Sequence, residues 1–183
     1  MLLNIPERIE TERLWLIKFS FQDAEEIFYS YASKPAATKY MAWPTHQSIK
    51  DTHDFLSYAV HGWQKGTDYS FGIRMKNPNR LIGSCGLMND GGRIQFGYIL
   101  SPQHWGKGYA TEATTAMLDQ VKSNTEIYRI HTFVDVENTA SANVLKKCGL
   151  IEEALLEKWF RFPNQDSQPK DCRHFRLPLT NSW

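Results

Sequence analysis

Between Gln103 and Ala113 the chain reads Gln-His-Trp-Gly-Lys-Gly-Tyr-Ala-Thr-Glu-Ala. Two glycines one residue apart, Gly106 and Gly108, let the backbone approach a ligand closely and take φ above zero without a Cβ clash. A helix starting just behind them would point its unpaired N–H groups and the positive end of its dipole at the loop. That arrangement suits a phosphate or pyrophosphate. Lys107 is the one cation inside the loop, so backbone amides would supply most of the anion stabilisation. The glycines do not follow the dinucleotide fingerprint Gly-x-Gly-x-x-Gly, and the loop lacks the Gly-Lys-Ser or Gly-Lys-Thr ending of a nucleoside-triphosphate loop.

The remaining composition excludes several classes. Lys and Arg number 21 against 20 Asp and Glu, a balance that argues against a general nucleic-acid binder. No apolar run reaches membrane-spanning length, and the start Met1 to Glu7 lacks the charged head and long apolar core of a signal peptide, so no membrane role and a cytoplasmic location are expected. Cys85, Cys148 and Cys172 have neither disulfide-framework numbers nor zinc-ligand spacing; buried free thiols and no metal are the expectation.

The loop must be held by its neighbours. Arg93 to Ser101 reads as a strand entering it, and Lys107 to Val121 as a helix leaving it, with Tyr109, Ala110, Ala113, Ala116, Met117 and Val121 on one face. Upstream, Thr11 to Lys18 reads as an opening strand covered on both faces. Ser20 with Asp23 caps a helix striped by Ala24, Ile27, Phe28 and Tyr31. Tyr40 to Pro44 is aromatic and irregular. Ser48 with Asp51 caps a second helix, whose inner face is Thr52, Phe55, Leu56, Ala59 and Trp63. Tyr69 to Met75, Leu81 to Leu87 and Arg93 to Ser101 make an antiparallel meander turned by Asn89 to Gly92. Arg129 to Val134, reached by a helical crossover, is expected to lie parallel to its neighbour. Glu137 to Leu150 reads as a short helix closed by Gly149, and Leu155 to Phe162 and Cys172 to Leu179 as the last strands.

The pattern Gln-x-x-Gly-x-Gly, set between an aromatic strand and an alanine-rich helix, resembles the acetyl-CoA loop of the GNAT superfamily of N-acetyltransferases. A second block, Asn138 through Ser141 to Gly149-Leu150, resembles that family's downstream motif, with Lys146 in place of an acidic residue and Leu150 in place of Phe. The match runs from Thr11-Glu12-Arg13-Leu14 to Asp171 through Leu179, and both ends resemble the branch of ribosomal-protein N-terminal (RimJ/RimL-like) acetyltransferases. The resemblance implies one α/β domain over residues 1–183. Its mixed, mainly antiparallel sheet would be flanked by helices and carry a splayed central strand pair.

It also implies roles. Acetyl-CoA would be the donor, held by Tyr98, Ile99, Leu100, the loop residues Gln103, His104, Trp105, Gly106, Lys107, Gly108, Tyr109, Ala110 and Thr111, and by Asn138 and Ser141. A backbone N–H near Ile99 or Leu100 would face the carbonyl oxygen. Packing is the plainer role for His104 and Trp105, as a helix N-cap is for Asn138. The tyrosine that commonly protonates the leaving thiolate is replaced by Leu145, which makes Ser141 the substitute acid. Gln95 occupies the place of a frequent catalytic glutamate and cannot take a proton, leaving Glu157 as first choice of base ahead of His131 and Asp135. Core packing is the plainer role of the aromatics Tyr40, Trp43 and Trp63; the resemblance implies that the first helix pair walls the acceptor cleft, which makes the three candidates for shaping it. An α-amine near pKa 8 is about 10% neutral at pH 7, and a lysine near 10.4 some hundreds of times less so. A weak base therefore favours a protein or peptide N-terminus over lysine. A small amine such as an antibiotic or polyamine is the alternative acceptor, and a catalytically idle acyl-CoA sensor the alternative class. Monomer and homodimer are both open.

Overall fold

The computed structural model describes residues 1–179 of the 183. The chain opens on a hairpin of β1 (Arg8–Glu10) and β2 (Leu14–Lys18). A helical layer follows: α1 (Ala24–Ile27) running into a π-helical turn (Phe28–Ala32), the short α2 (Pro35–Thr38), and α3 (Ile49–Lys65). Strands β3 (Asp68–Met75), β4 (Arg80–Asp90) and β5 (Arg93–Leu100) form the meander. Helix α4 (Tyr109–Asp119) crosses to β6 (Arg129–Asp135), and α5 (Thr139–Lys147) leads into β7 (Ile151–Phe160) and β8 (Lys170–Arg176). The eight strands make one sheet in the order β1-β2-β3-β4-β5-β6-β8-β7. All neighbours pair antiparallel except β5 and β6, the pair joined by the helical crossover.

Residue parity divides the core. On one face Leu14, Leu16, Phe71, Ile73, Ile94, Phe96 and Leu100 pack beneath α4 and α5 through Ala113, Met117, Ala142 and Leu145. On the other, Leu81 and Ile99 meet Phe19, Ala24, Ile27, Tyr31, Leu56 and Ala59 of the first helical layer. The expected acid caps are present: Asp23 accepts the N–H of Ser20 at 2.8 Å and Asp51 that of Ser48 at 2.9 Å. Cys85 and Cys172 are buried thiols, while Cys148 is half-buried.

Several boundaries differ from the sequence expectation. The opening strand begins at Leu14, because Thr11 turns the chain by bonding the Leu14 backbone, and β1 precedes it. Only Leu14 and Leu16 are fully covered; the opposite face carries Trp15, with the Arg8 guanidinium 3.5 Å over its ring and the Lys76 ammonium at 4.7 Å. Helix α4 starts at Tyr109 rather than Lys107, since Gly108 sits at φ 81°, outside helical geometry. Strand β7 begins four residues early, at Ile151, where Glu152 and Glu153 hide any alternation: this is an edge strand exposed along most of its length. No helix among the described residues is long and apolar enough to cross a membrane.

Helix α3 rides so close to β3 that a Cβ on Gly62 would stand 2.5 Å from that of Asp68. Asp68 is 5% exposed there, and burial pushes its carboxyl up to about 6 against the opposing pull of Ser70. The folded value lies above the unfolded one, so the ionised carboxylate costs stability once pH rises through 4 to 6. Asp68→Asn is therefore expected to raise stability at pH 7.5 by up to about 3 kcal/mol, with a matching rise in unfolding temperature, and to leave both nearly unchanged at pH 4. Thermal unfolding at both pH values checks this; an equal shift at each would show that ionisation is not the cost.

Candidate active site

Strands β5 and β6 pair over three rungs, Arg93 with Arg129, Ile94 with Ile130 and Gln95 with His131, and then part. At the point of parting the Thr132 hydroxyl donates to the Phe96 carbonyl at 2.8 Å, filling the place of a backbone partner. Which groups the gap exposes follows from ladder alternation. The N–H of Ser101 bonds Ile82 on β4 at 2.8 Å, so the odd-numbered residues of β5 bond β4 and the even-numbered ones turn toward the gap. Trp105 takes the Leu100 carbonyl through its indole N–H at 3.0 Å. The gap is left with the N–H and carbonyl of Tyr98 and the N–H of Leu100. Ile99 is thereby corrected: its backbone faces β4 and its side chain, 5% exposed, serves the core.

Beyond the gap the chain makes a short 3-10 turn (Pro102–His104) and enters the glycine loop, with Gly106 at φ 70° and Gly108 at φ 81°. A Cβ on Gly106 would meet nothing within 4 Å, so the loop is open where a ligand would approach. The Lys107 ammonium folds back onto the Gln103 carbonyl at 2.9 Å. The loop is clamped from the far end of the sequence. Arg13 donates to the Lys107 carbonyl at 3.0 Å and lies 4.5 Å over the Tyr109 ring, while Glu112 accepts from Thr11 at 2.6 Å and from the Arg13 guanidinium at 2.7 Å. Burial alone would raise the Glu112 carboxyl, but these hydrogen bonds outweigh it and hold the group below its usual range. Helical geometry leaves the N–H groups of Tyr109, Ala110 and Thr111 pointing into the loop. His104 packs 6.3 Å from Tyr109, and its ring Nδ1 is buried without a partner among the described residues. Burial, with Lys107 and Arg80 nearby, lowers its pKa and keeps it neutral.

On the helix side of the gap, Asn138 caps α5 by accepting the Ser141 N–H at 3.1 Å. The Tyr98 hydroxyl donates to Ser141 Oγ at 3.1 Å, joining β5 to α5 across the gap, and burial pushes the phenol up to about 12. Leu145 is 1% exposed and brings no hydroxyl.

On the opposite face stand Gln95, His131 and Gly97, where an added Cβ would meet nothing within 4 Å. Phe133, two residues beyond His131, has the Trp159 ring at 6.4 Å and that of Phe160 at 5.4 Å. Asn164, in the loop from β7 to β8, reaches the segment before α3: it donates to the carbonyls of Thr38 at 2.7 Å and Trp43 at 2.9 Å and accepts the Thr45 N–H at 2.8 Å. Trp43 and Tyr40 lie on this strapped segment, half-buried, with the Lys39 ammonium 4.8 Å over the Tyr40 ring. Trp63 does not join them. Its indole N–H is spent on the Ser70 carbonyl at 3.0 Å and its ring packs edge-on against Tyr69 and Phe71, over β3.

Of the candidate bases, Asp135 is committed, accepting the Glu137 N–H at 2.9 Å and the Gln165 amide at 3.0 Å. Glu157 lies exposed at a bulge of edge strand β7, with β8 between it and β6. His131 stands on the last rung beside Gln95, and its Nδ1 is 3.1 Å from Nε2 of His174. The Thr11, Arg13 and Glu112 clamp, the Thr132 wedge and the Asn164 strap are absent from the sequence reading; each joins residues remote in sequence and of ordinary type.

The acetyltransferase (GNAT) domain family matches residues 13–151. The chain is 32% identical over 156 residues to the uncharacterized N-acetyltransferase p20 of Bacillus licheniformis, covering 84% of this chain and 87% of that protein. A GNAT-family acetyltransferase from Bacillus anthracis superposes with a TM-score of 0.80 at 25% identity, over 93% of this chain and 97% of that one. The microcin C7 self-immunity acetyltransferase MccE, in complex with acetyl-CoA and AMP, superposes with a TM-score of 0.85 at 21% identity, over 96% and 98%. The family model spans most of the chain, parted strands and glycine loop included, and the chain belongs to the GNAT family of acetyltransferases.

Proposed function

We propose that this acetyltransferase moves the acetyl group of acetyl-CoA to the α-amine of a protein or peptide by direct attack, as in the ribosomal-protein branch. The observation that carries the reading is the parted β5 and β6 opening onto the glycine loop. The loop amides would take the pyrophosphate, and the Tyr98 N–H and carbonyl would pair with the pantetheine amides. The Leu100 N–H then faces the carbonyl oxygen, where one well-placed donor is worth about 3 kcal/mol in the transition state. The amine nitrogen bonds to the acetyl carbon and the carbon–sulfur bond breaks. Ser141 Oγ gives its proton to the leaving thiolate, Tyr98 replaces it through their hydrogen bond, and water returns a proton to the phenol.

His131 is better placed than Glu157 to receive the amine proton. It shares the acceptor face with Gln95 and Gly97, while Glu157 lies out on the sheet edge. The acceptor wall favours a singly charged amine over a polyamine. Phe133 and Trp159 face each other there at 6.4 Å, and the buried carboxylate two residues beyond Phe133, Asp135, already has its hydrogen bonds.

The glycine loop and the acid give separable tests. Gly106→Val places a β-branched residue at φ 70°, a conformation costing about 1–2 kcal/mol for any L side chain. The loop is expected to change shape, with CoA affinity falling at least about tenfold and the unfolding temperature little changed. Calorimetry showing unaltered affinity would refute the pyrophosphate assignment. Ser141→Ala is expected to lower kcat on the order of a hundredfold with the KM for acetyl-CoA nearly unchanged. Thiol release measured with N-terminal peptides and with polyamines decides the acceptor, and release with neither would favour a sensor.

A further inference from the structure

Three side chains on three neighbouring strands form a continuous chain, of which the acetyl-transfer chemistry above uses only His131. His131 on β6 has its Nδ1 3.1 Å from Nε2 of His174 on β8, and Nδ1 of His174 is 3.1 Å from Oε2 of Glu153 on β7. The ring planes of the two histidines are tilted by 49° with centroids 5.2 Å apart, so the contact is edge to edge through nitrogen and not a stack. One end of the chain stands at the last paired rung, beside Gln95. The other end, Glu153, is exposed and is also bonded by Arg129 and by Arg176, the latter at 3.3 Å.

We propose that Glu153, His174 and His131 form a proton exit that carries the acceptor amine's proton from the cleft to solvent, standing in for the carboxylate that Gln95 does not provide. The inference rests on the acetyl-transfer reading and deepens it. With Nδ1 of His131 donating to His174 and Nδ1 of His174 donating to Glu153, Nε2 of His131 presents a lone pair toward the cleft. As the new amide forms, the N–H bond of the amine breaks and an Nε2–H bond forms on His131. The Nδ1 proton of His131 passes to Nε2 of His174, and the Nδ1 proton of His174 passes to Glu153, which releases it to water. Exchange of ring protons with water restores both tautomers, so no net charge stays in the cleft.

The electrostatics explain why a chain is needed in place of a single base. Arg93 on β5, Arg129 on β6, His174 and Arg176 on β8 and Glu153 on β7 surround His131. Burial, then His174, Arg129 and Arg93, lower His131 to about 4, against the opposing pull of Glu153. The ring is therefore neutral throughout the range in which an amine attacks, ready to accept a proton but unable to keep it. Glu153 is itself held below the usual carboxylate range, first by Arg129, and so returns its proton to water quickly.

The test uses steady-state turnover of the full chain, with acetyl-CoA affinity and unfolding temperature measured alongside. His131→Ala is expected to lose on the order of a hundredfold in kcat with acetyl-CoA affinity retained, and added imidazole to restore part of that loss. Glu153→Gln, on the exposed side, is expected to lower kcat about tenfold, and the double variant to be no slower than His131→Ala alone. A purely structural role would lower the unfolding temperature without imidazole rescue. Full turnover in His131→Ala, loss without rescue, or losses that multiply in the double variant would overturn the relay while leaving acetyl transfer standing. A wild-type chain that releases no thiol with any amine would overturn acetyl transfer, and the relay with it.

Discussion

The site depends on two parallel strands being kept from completing their pairing. A parallel ladder left to itself would continue past Gln95 and His131, because unpaired backbone groups between adjacent strands cost free energy. Thr132 prevents this by putting a hydroxyl where the next backbone group of β6 would bond Phe96. The hydroxyl satisfies the carbonyl and holds the strand away, so the opening is stabilised at its apex. Everything downstream inherits that geometry. Tyr98 and Leu100 have backbone groups to offer because β6 has withdrawn, and Tyr98 reaches Ser141 because no strand lies between them.

The glycine loop, to which we assign the pyrophosphate, carries little fixed charge. Its single lysine is turned back on the Gln103 carbonyl and Arg13 is neutralised by Glu112, so the amides at the head of α4 are the main positive feature. Arg13 and Glu112 serve to hold shape. They tie the loop to the turn between β1 and β2, and the guanidinium laid over Tyr109 fixes the first residue of the helix. A preorganised backbone cradle loses less ordering entropy on binding than flexible lysines would.

The site was legible in the sequence where local chemistry carries it. Gly106 and Gly108 announce left-handed backbone, and Asn138 three residues before Ser141 announces a cap; both stand as read. The alternation of β5 also shows what sequence spacing alone leaves open between Ile99 and Leu100, since the ladder bond from Ser101 sets the parity. What escaped is the set of pairings made by tertiary contact: Thr132 with Phe96, Glu112 with Thr11 and Arg13, Glu153 with His174. None of these has an unusual residue or spacing to betray it. Trp63 shows the same limit, its plainer role in the core being the one the structure gives it. An aromatic on the inner face of α3 is equally suited to a cleft wall and to the core, and only the position of β3 beneath it decides.

The strap at Asn164 bears on how such a scaffold could be redesigned. One side chain makes four hydrogen bonds to Thr38, Trp43 and Thr45, joining a loop near the end of the chain to one near its beginning. Grafting either segment alone from a relative with another appetite would strand those polar groups half-buried, at a cost of roughly 1–3 kcal/mol for each one abandoned. The two stretches form one mechanical unit, and a working graft would have to carry both.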